Sequence, residues 1–183
     1  NVNGVLYFTA NDNVSGRELW KTDGTSAGTV MVSDIYAGTN SGNPQILTEM
    51  NGVLYFMASN GTNGQELWKT DGTAAGTVLV KDIRPGSNSS SPLYLTNVNG
   101  VLYFMASDGT NGQELWKSDG TEAGTVMVKN IYAGSNGSSP QNLINVNGVL
   151  FFVANNGVNG YELWKSDGTE AGTVMVKDIH VGN

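Results

Sequence analysis

Apolar residues in this chain come in short runs rather than in helical stripes. The run Val101-Leu102-Tyr103-Phe104-Met105-Ala106 is apolar at odd and even positions alike, and no stretch keeps a 3.6-residue period for three turns. Each run is bounded by Asn-Gly, Asp-Gly or a cluster of Ser, Asn and Gly, the punctuation of β-strands. Two β-prone runs, 92–98 and 101–106, flank Asn99-Gly100. That dipeptide predicts a two-residue hairpin of type I′, which needs positive φ at both central residues. The loop 107–112 leads to a third strand, Glu114–Lys117, and the Gly-rich turn 119–124 to a fourth, Thr125–Lys129. The pattern predicts a four-stranded antiparallel meander. Because the second strand is apolar on both faces, it should be covered on both. A sandwich strand would keep one polar face; a blade of a β-propeller, flanked by two others, would not.

The meander is written four times. Trp20, Trp68, Trp116 and Trp164 are 48 residues apart, as are Asp23, Asp71, Asp119 and Asp167, each followed by Gly-Thr. The hairpin pairs at Asn3, Asn51, Asn99 and Asn147 keep the same interval, and 37 of the 48 positions in 51–98 are identical in 99–146. The whole chain, 1–183, therefore reads as one all-β repeat domain with units 3–50, 51–98, 99–146 and 147–183. Its 183 residues are nine short of four periods, and the deficit matches the first strand of a blade. The expected architecture is a β-propeller of four-stranded blades with one first strand missing. It would be closed as a four-bladed ring or be half of an eight-bladed ring made by two chains. A solenoid is the weaker alternative. An open blade edge favours self-association as a homodimer.

Composition narrows the partners. A formal charge of −7 argues against nucleic acid, whose phosphates need clustered Lys and Arg. Without Cys there is neither a disulfide framework nor a thiolate metal site. No apolar run approaches a membrane span, so insertion is not expected.

The segment Glu66-Leu67-Trp68-Lys69-Thr70-Asp71-Gly72-Thr73 resembles the bacterial ELWxxDGT repeat, and the same letters stand at 18–25, 114–121 and 162–169. The resemblance covers essentially the whole chain. It implies a β-propeller belonging to large secreted or cell-surface bacterial proteins, and it brings no established catalytic activity or ligand. The strand order is also similar to a Kelch blade, although the Kelch Gly-Gly pair is absent. The Asp-Gly-Thr turn resembles the Asp-box hairpin of sialidase-type propellers at a different spacing.

Candidate chemistry is sparse. Asp23, Asp71, Asp119 and Asp167 suit turns in which the carboxylate accepts backbone N–H bonds. Trp20, Trp68, Trp116 and Trp164 suit packing between blades, with a sugar platform as the alternative. Oxygen-bearing side chains alternate in Asn11-Asp12-Asn13-Val14-Ser15-Gly16 as in a calcium loop, but position 22, where a bidentate Glu is needed, is Thr. No cofactor is expected beyond calcium at that single loop. The only His is His180, and Glu66 and Asp71 fall on opposite strand faces, so no acid–base pair can be assembled. The turns between first and second and between third and fourth strands hardly vary among copies. The opposite rim does vary, at Arg17, Gln65, Gln113 and Tyr161 and at Tyr36, Arg84, Tyr132 and His180. A ligand would sit there, because binding residues favour loops on a rigid scaffold. The expected function is a non-catalytic scaffold and interaction module; a glycan-binding propeller with repeated sites on the variable rim is the alternative.

Overall fold

The computed structural model describes residues 1–179, so His180 lies outside the described residues. They form fifteen strands and no helix, and no helix long and apolar enough to cross a membrane is present among them. The chain divides into two compact units, the first Asn1–Ser89 and the second beginning at Ser90.

The first unit holds two meander sheets. One has the order β1 (Leu6–Asn11), β2 (Arg17–Thr22), β3 (Val30–Ser33), preceded by a lone bridge between Val2 and Val5. The other runs β4 (Gln45–Met50), β5 (Val53–Ala58), β6 (Glu66–Thr70), β7 (Val78–Lys81). In the second unit one sheet comprises β8 (Leu93–Val98), β9 (Val101–Ser107), β10 (Gln113–Ser118) and β11 (Val126–Lys129). Its companion comprises β12 (Gln141–Val146), β13 (Val149–Asn155), β14 (Tyr161–Ser166) and β15 (Val174–Lys177). Every pairing is antiparallel. The sheets are offset from the sequence units: a cut at residue 51 falls inside the β4–β5 hairpin, so each four-stranded sheet draws its first strand from the preceding unit.

The hairpin turns have the geometry that Asn-Gly dictates. Val98 pairs with Val101, and Asn99 and Gly100 have φ of 52° and 80°. A bulge in the first strand of each four-stranded sheet was not legible in the sequence. Leu93 pairs with Met105 but Thr96 with Tyr103, which leaves two residues of β8 opposite one of β9, and Tyr94 takes φ of 58°. Ile46 and Asn142, at the same repeat position, do likewise.

Apolar faces of consecutive sheets make the core of each unit. In the first, Leu19, Val32 and Ile35 cluster with Leu54, Phe56, Ala58 and Trp68. In the second, Tyr103, Leu115, Val128 and Ile131 cluster with Leu150, Phe152, Ala154 and Trp164. The Phe152 and Trp164 rings stack at 6.5 Å, and the Trp164 indole donates to the Ala154 carbonyl at 3.1 Å. Phe56, Phe104 and Phe152 are fully buried, each side chain worth about 1.5–3 kcal/mol on transfer grounds. Strands β5 and β9 are buried on both faces, as their uninterrupted apolar runs require.

Candidate functional site

The motif turn is closed by its own side chains. Asp71 Oδ1 accepts from the Thr73 amide at 2.9 Å and the Thr73 hydroxyl at 2.7 Å, and Thr73 Oγ1 in turn accepts from Gly76 N. Thr77 donates its hydroxyl to the Thr73 carbonyl at 2.7 Å, and Gly72 takes φ of 92°. Asp23, Asp119 and Asp167 make the same pair of bonds to Thr25, Thr121 and Thr169. These bonds favour the ionised carboxylate. The Thr25 bonds hold the Asp23 carboxyl below its usual range, and the Thr73 and Thr169 bonds do so for Asp71 and Asp167.

The turn is also where one sheet meets the next. Lys21 on β2 donates its Nζ to the Gly72 carbonyl at 2.7 Å, and the Tyr7 hydroxyl lies where a Cβ on Gly72 would stand. The second unit repeats this: Lys117 reaches the Gly168 carbonyl at 2.9 Å, and the Tyr103 hydroxyl occupies the space beside Gly168. Burial and the neighbouring Asp167 charge push the Tyr103 hydroxyl above its ordinary pKa, and Tyr7 is raised in the same way by burial and Asp71. Beside the Asp71 turn opens a shallow groove of about 300 Å³, lined by Val53, Lys69, Asp71, Ala75, Gly76 and Val78. Equivalent grooves stand beside Lys117 and Asp119 and beside Lys165 and Asp167. Each offers one ammonium and one carboxylate on apolar walls, without a second carboxylate. These three grooves lie on the uniform rim.

The motif Glu has a role that strand-face reasoning missed. Glu18, Glu66 and Glu114 are fully buried although they sit among apolar positions. Glu114 receives N–H bonds from Ile131, Tyr132 and Ser138 at 3.0, 3.1 and 2.9 Å, and the Ser138 hydroxyl donates to it as well. Glu18 receives Ile35 and Gly42, Glu66 receives Ile83, and Glu162 receives Ile179. One buried carboxylate therefore fastens the segment after each sheet's last strand, from 17 to 24 residues away. Burial pushes the Glu18 and Glu114 carboxyls above their ordinary range despite these amides. The available signal was a carboxylate recurring every 48 residues at an otherwise inward-facing position.

On the variable rim the candidate residues are spread along the loops. In the first unit, backbone groups at the start of the strands that carry the motif bond to the segment after the same sheet's last strand: Arg17 N donates to Ser41 Oγ, Asn43 N to Arg17 O, and Gln65 N to Ser89 Oγ. Tyr36 and Tyr132 are half-buried, their rings packed against Gly61 and Gly157, where any Cβ would collide. Arg84 approaches the Ser89 carbonyl at 3.5 Å, and Gln113 accepts from the Ser139 hydroxyl at 3.4 Å. Arg17 and Tyr161 are exposed. In the loop considered for calcium, Asp12 Oδ1 accepts from Val14 N and Ser15 N, and Asn11 Oδ1 from Asn13 N. Among the described residues no group of three His, Cys, Asp or Glu side chains could hold a metal. Trp68, Trp116 and Trp164 are buried, while Trp20 is half-buried.

Solved structures share this arrangement of sheets. One, from a study of two prolyl endopeptidases, superposes on 94% of the chain with a TM-score of 0.59 at 13% identity. A puromycin hydrolase mutant complexed with PGG superposes on 95% with a TM-score of 0.60 at 14% identity. The computationally designed Ika8 protein superposes on 98% with a TM-score of 0.52 at 14% identity. The chain spans 24%, 28% and 48% of the lengths of these three. The fold is accordingly all-β and propeller-like, built of antiparallel meander sheets. At such identities the likeness concerns the fold alone. No protein-family model and no curated protein sequence matches the chain.

Proposed function

We propose that this chain is a non-catalytic propeller repeat module of the ELWxxDGT type, serving as a structural and interaction scaffold in a secreted or surface protein of a bacterium. The observation that carries the reading is the use each copy makes of its charged motif side chains. Each Asp closes its own turn, each Glu fastens its own segment, and Lys21 and Lys117 bridge to the next sheet. An enzyme usually places a unique cluster on its scaffold, whereas chemistry repeated at every sheet is chemistry of assembly. The ELWxxDGT resemblance supports the surface location.

Glycan binding on the variable rim is the second reading, favoured by the exposed Tyr161 ring, which offers an apolar face with a polar tip. A glycan array combined with tryptophan and tyrosine emission separates the two. The scaffold reading expects silence across the array and emission that no sugar alters. Saturable binding abolished by Tyr161→Ala would replace it with the lectin reading.

A further inference from the structure

We propose that the outer face of the β12–β15 sheet is a docking surface for the outer face of the β1–β3 sheet of a second copy of this chain. The inference rests on the scaffold reading and names its partner.

The repeat itself supplies the comparison. In the second unit, Leu115, Val128 and Ile131 on the β8–β11 sheet are covered by Leu150, Phe152, Ala154 and Trp164 of the following sheet. Residues 48 further along, of the same types, lack that cover: Leu163 is 37% exposed against 0% for Leu115, and Val176 is 47% against 7% for Val128. Ile179 is likewise exposed where Ile131 is buried. This is one face of a sheet, since β14 alternates exposed and buried from Tyr161 to Ser166.

The matching knobs stand uncovered on the first unit. Leu54, Phe56, Ala58 and Trp68 on the β4–β7 sheet are buried in their unit's core. Their counterparts Leu6, Phe8, Ala10 and Trp20 are exposed or half-buried, Leu6 at 53% against 3% for Leu54. An apolar face shaped as the internal junctions are shaped therefore meets, in a second copy, the residues that fill those junctions.

A polar marker agrees independently. Within each unit a Lys crosses to the Gly carbonyl of the following sheet's motif turn, from Lys21 to Gly72 in the first and from Lys117 to Gly168 in the second. Lys165, at the same repeat position, is exposed, and nothing lies within 4 Å of the Cβ direction of Gly24. Docking would carry Lys165 to the Gly24 carbonyl of the other copy. The contact is head-to-tail, so it closes a ring of two copies or extends further.

Light scattering on the intact chain tests this across a wide concentration range. The expected mass is about twice 19.3 kDa or more, falling toward 19.3 kDa on dilution. Leu163→Lys and Leu6→Lys should each weaken association about tenfold or more, because each buries an ammonium in the apolar centre of the contact. Both positions are solvent-exposed within their own sheet, and melting curves confirm folding; Lys165→Glu gives a third variant outside the apolar patch. Mixing the two single variants should restore pairing, since each keeps the face the other lacks, whereas the double variant stays monomeric. A mass of 19.3 kDa at every concentration, or association that survives both substitutions, overturns the proposal. A monomer that ignores every glycan leaves the scaffold reading standing without this partner; a glycan-binding chain removes the scaffold reading whatever its mass.

Discussion

Replacing Gly168 with Ala tests whether the motif turn is a docking point between sheets. Three effects add at this position. Gly168 has φ of 88°, where an L-residue is disfavoured by about 1–2 kcal/mol. The new Cβ would also collide with the Tyr103 hydroxyl, and Tyr103 is itself packed in the core of its unit. Displacing that ring should cost about 1–3 kcal/mol as overpacking, and loosening the Lys117 bond to the Gly168 carbonyl about 0.5–1.5 kcal/mol. Gly134 in the same unit isolates the first effect, because it has φ of 101° and no atom within 4 Å of its Cβ direction. Equilibrium urea denaturation followed by tryptophan emission should show Gly168→Ala less stable than Gly134→Ala by about 1.5–4.5 kcal/mol. Equal losses in the two variants would refute the docking role of the turn.

Two further outcomes follow from the carboxylates. Glu18 and Glu114 are raised above the ordinary 4.5, so the stability they confer is full below 4.5 and declines as the pH climbs through their folded-state values. Asp23, Asp71, Asp108 and Asp167 are lowered from 3.8, so their contribution is present above 3.8 and declines as the pH falls through their folded-state values. Melting temperature should therefore peak on the mildly acidic side, with a shallow acid limb because most of these Asp are exposed. Glu114→Gln should flatten the limb above pH 4.5, and a melting temperature that rises steadily from there to neutrality would contradict the assignment. Thr73→Val removes the hydroxyl that donates to Asp71, so the Asp71 pKa followed by NMR should move up toward its ordinary value. An unmoved titration would show that the hydroxyl does not hold the charge.

The periodic features of this fold were legible because they are local. Asn99-Gly100 sets its own positive φ values, and the apolar run of β9 states its two-sided burial without reference to anything distant. The first-strand bulge was hidden because it contradicts local preference: Ile46 and Tyr94 occupy left-handed φ that such side chains seldom adopt. Only the register between β4 and β5, or between β8 and β9, requires it. Glu66 was misleading for a related reason. By strand alternation it is one more residue on the Trp68 face, and the amide it binds lies 17 residues away at Ile83. The variable-rim residues Tyr36 and Tyr132 were legible as differing positions, but the glycines they cover belong to the next repeat.

These distant contacts account for the uniformity of one rim and the latitude of the other. At the motif turn, Asp-Thr bonds fix where the Gly carbonyl points, and the missing Cβ leaves room for the preceding sheet's Tyr hydroxyl. A Lys two residues before the turn on that preceding sheet then finds its acceptor. The sheet that gives the Tyr and Lys and the sheet that gives the turn depend on each other inside both units, from Tyr7 and Lys21 to Gly72 and from Tyr103 and Lys117 to Gly168. The opposite rim asks less of its side chains. Arg17, Asn43 and Gln65 tie its loops through their backbone N–H groups, and Arg17 also through its carbonyl, so these three side chains can change without breaking the tie, while the acceptors at Ser41 and Ser89 are side-chain hydroxyls. The Glu, Asp and Thr letters thus hold the sheet that carries them and the motif Gly receives the preceding sheet, and these needs would recur whether or not the variable rim holds a ligand.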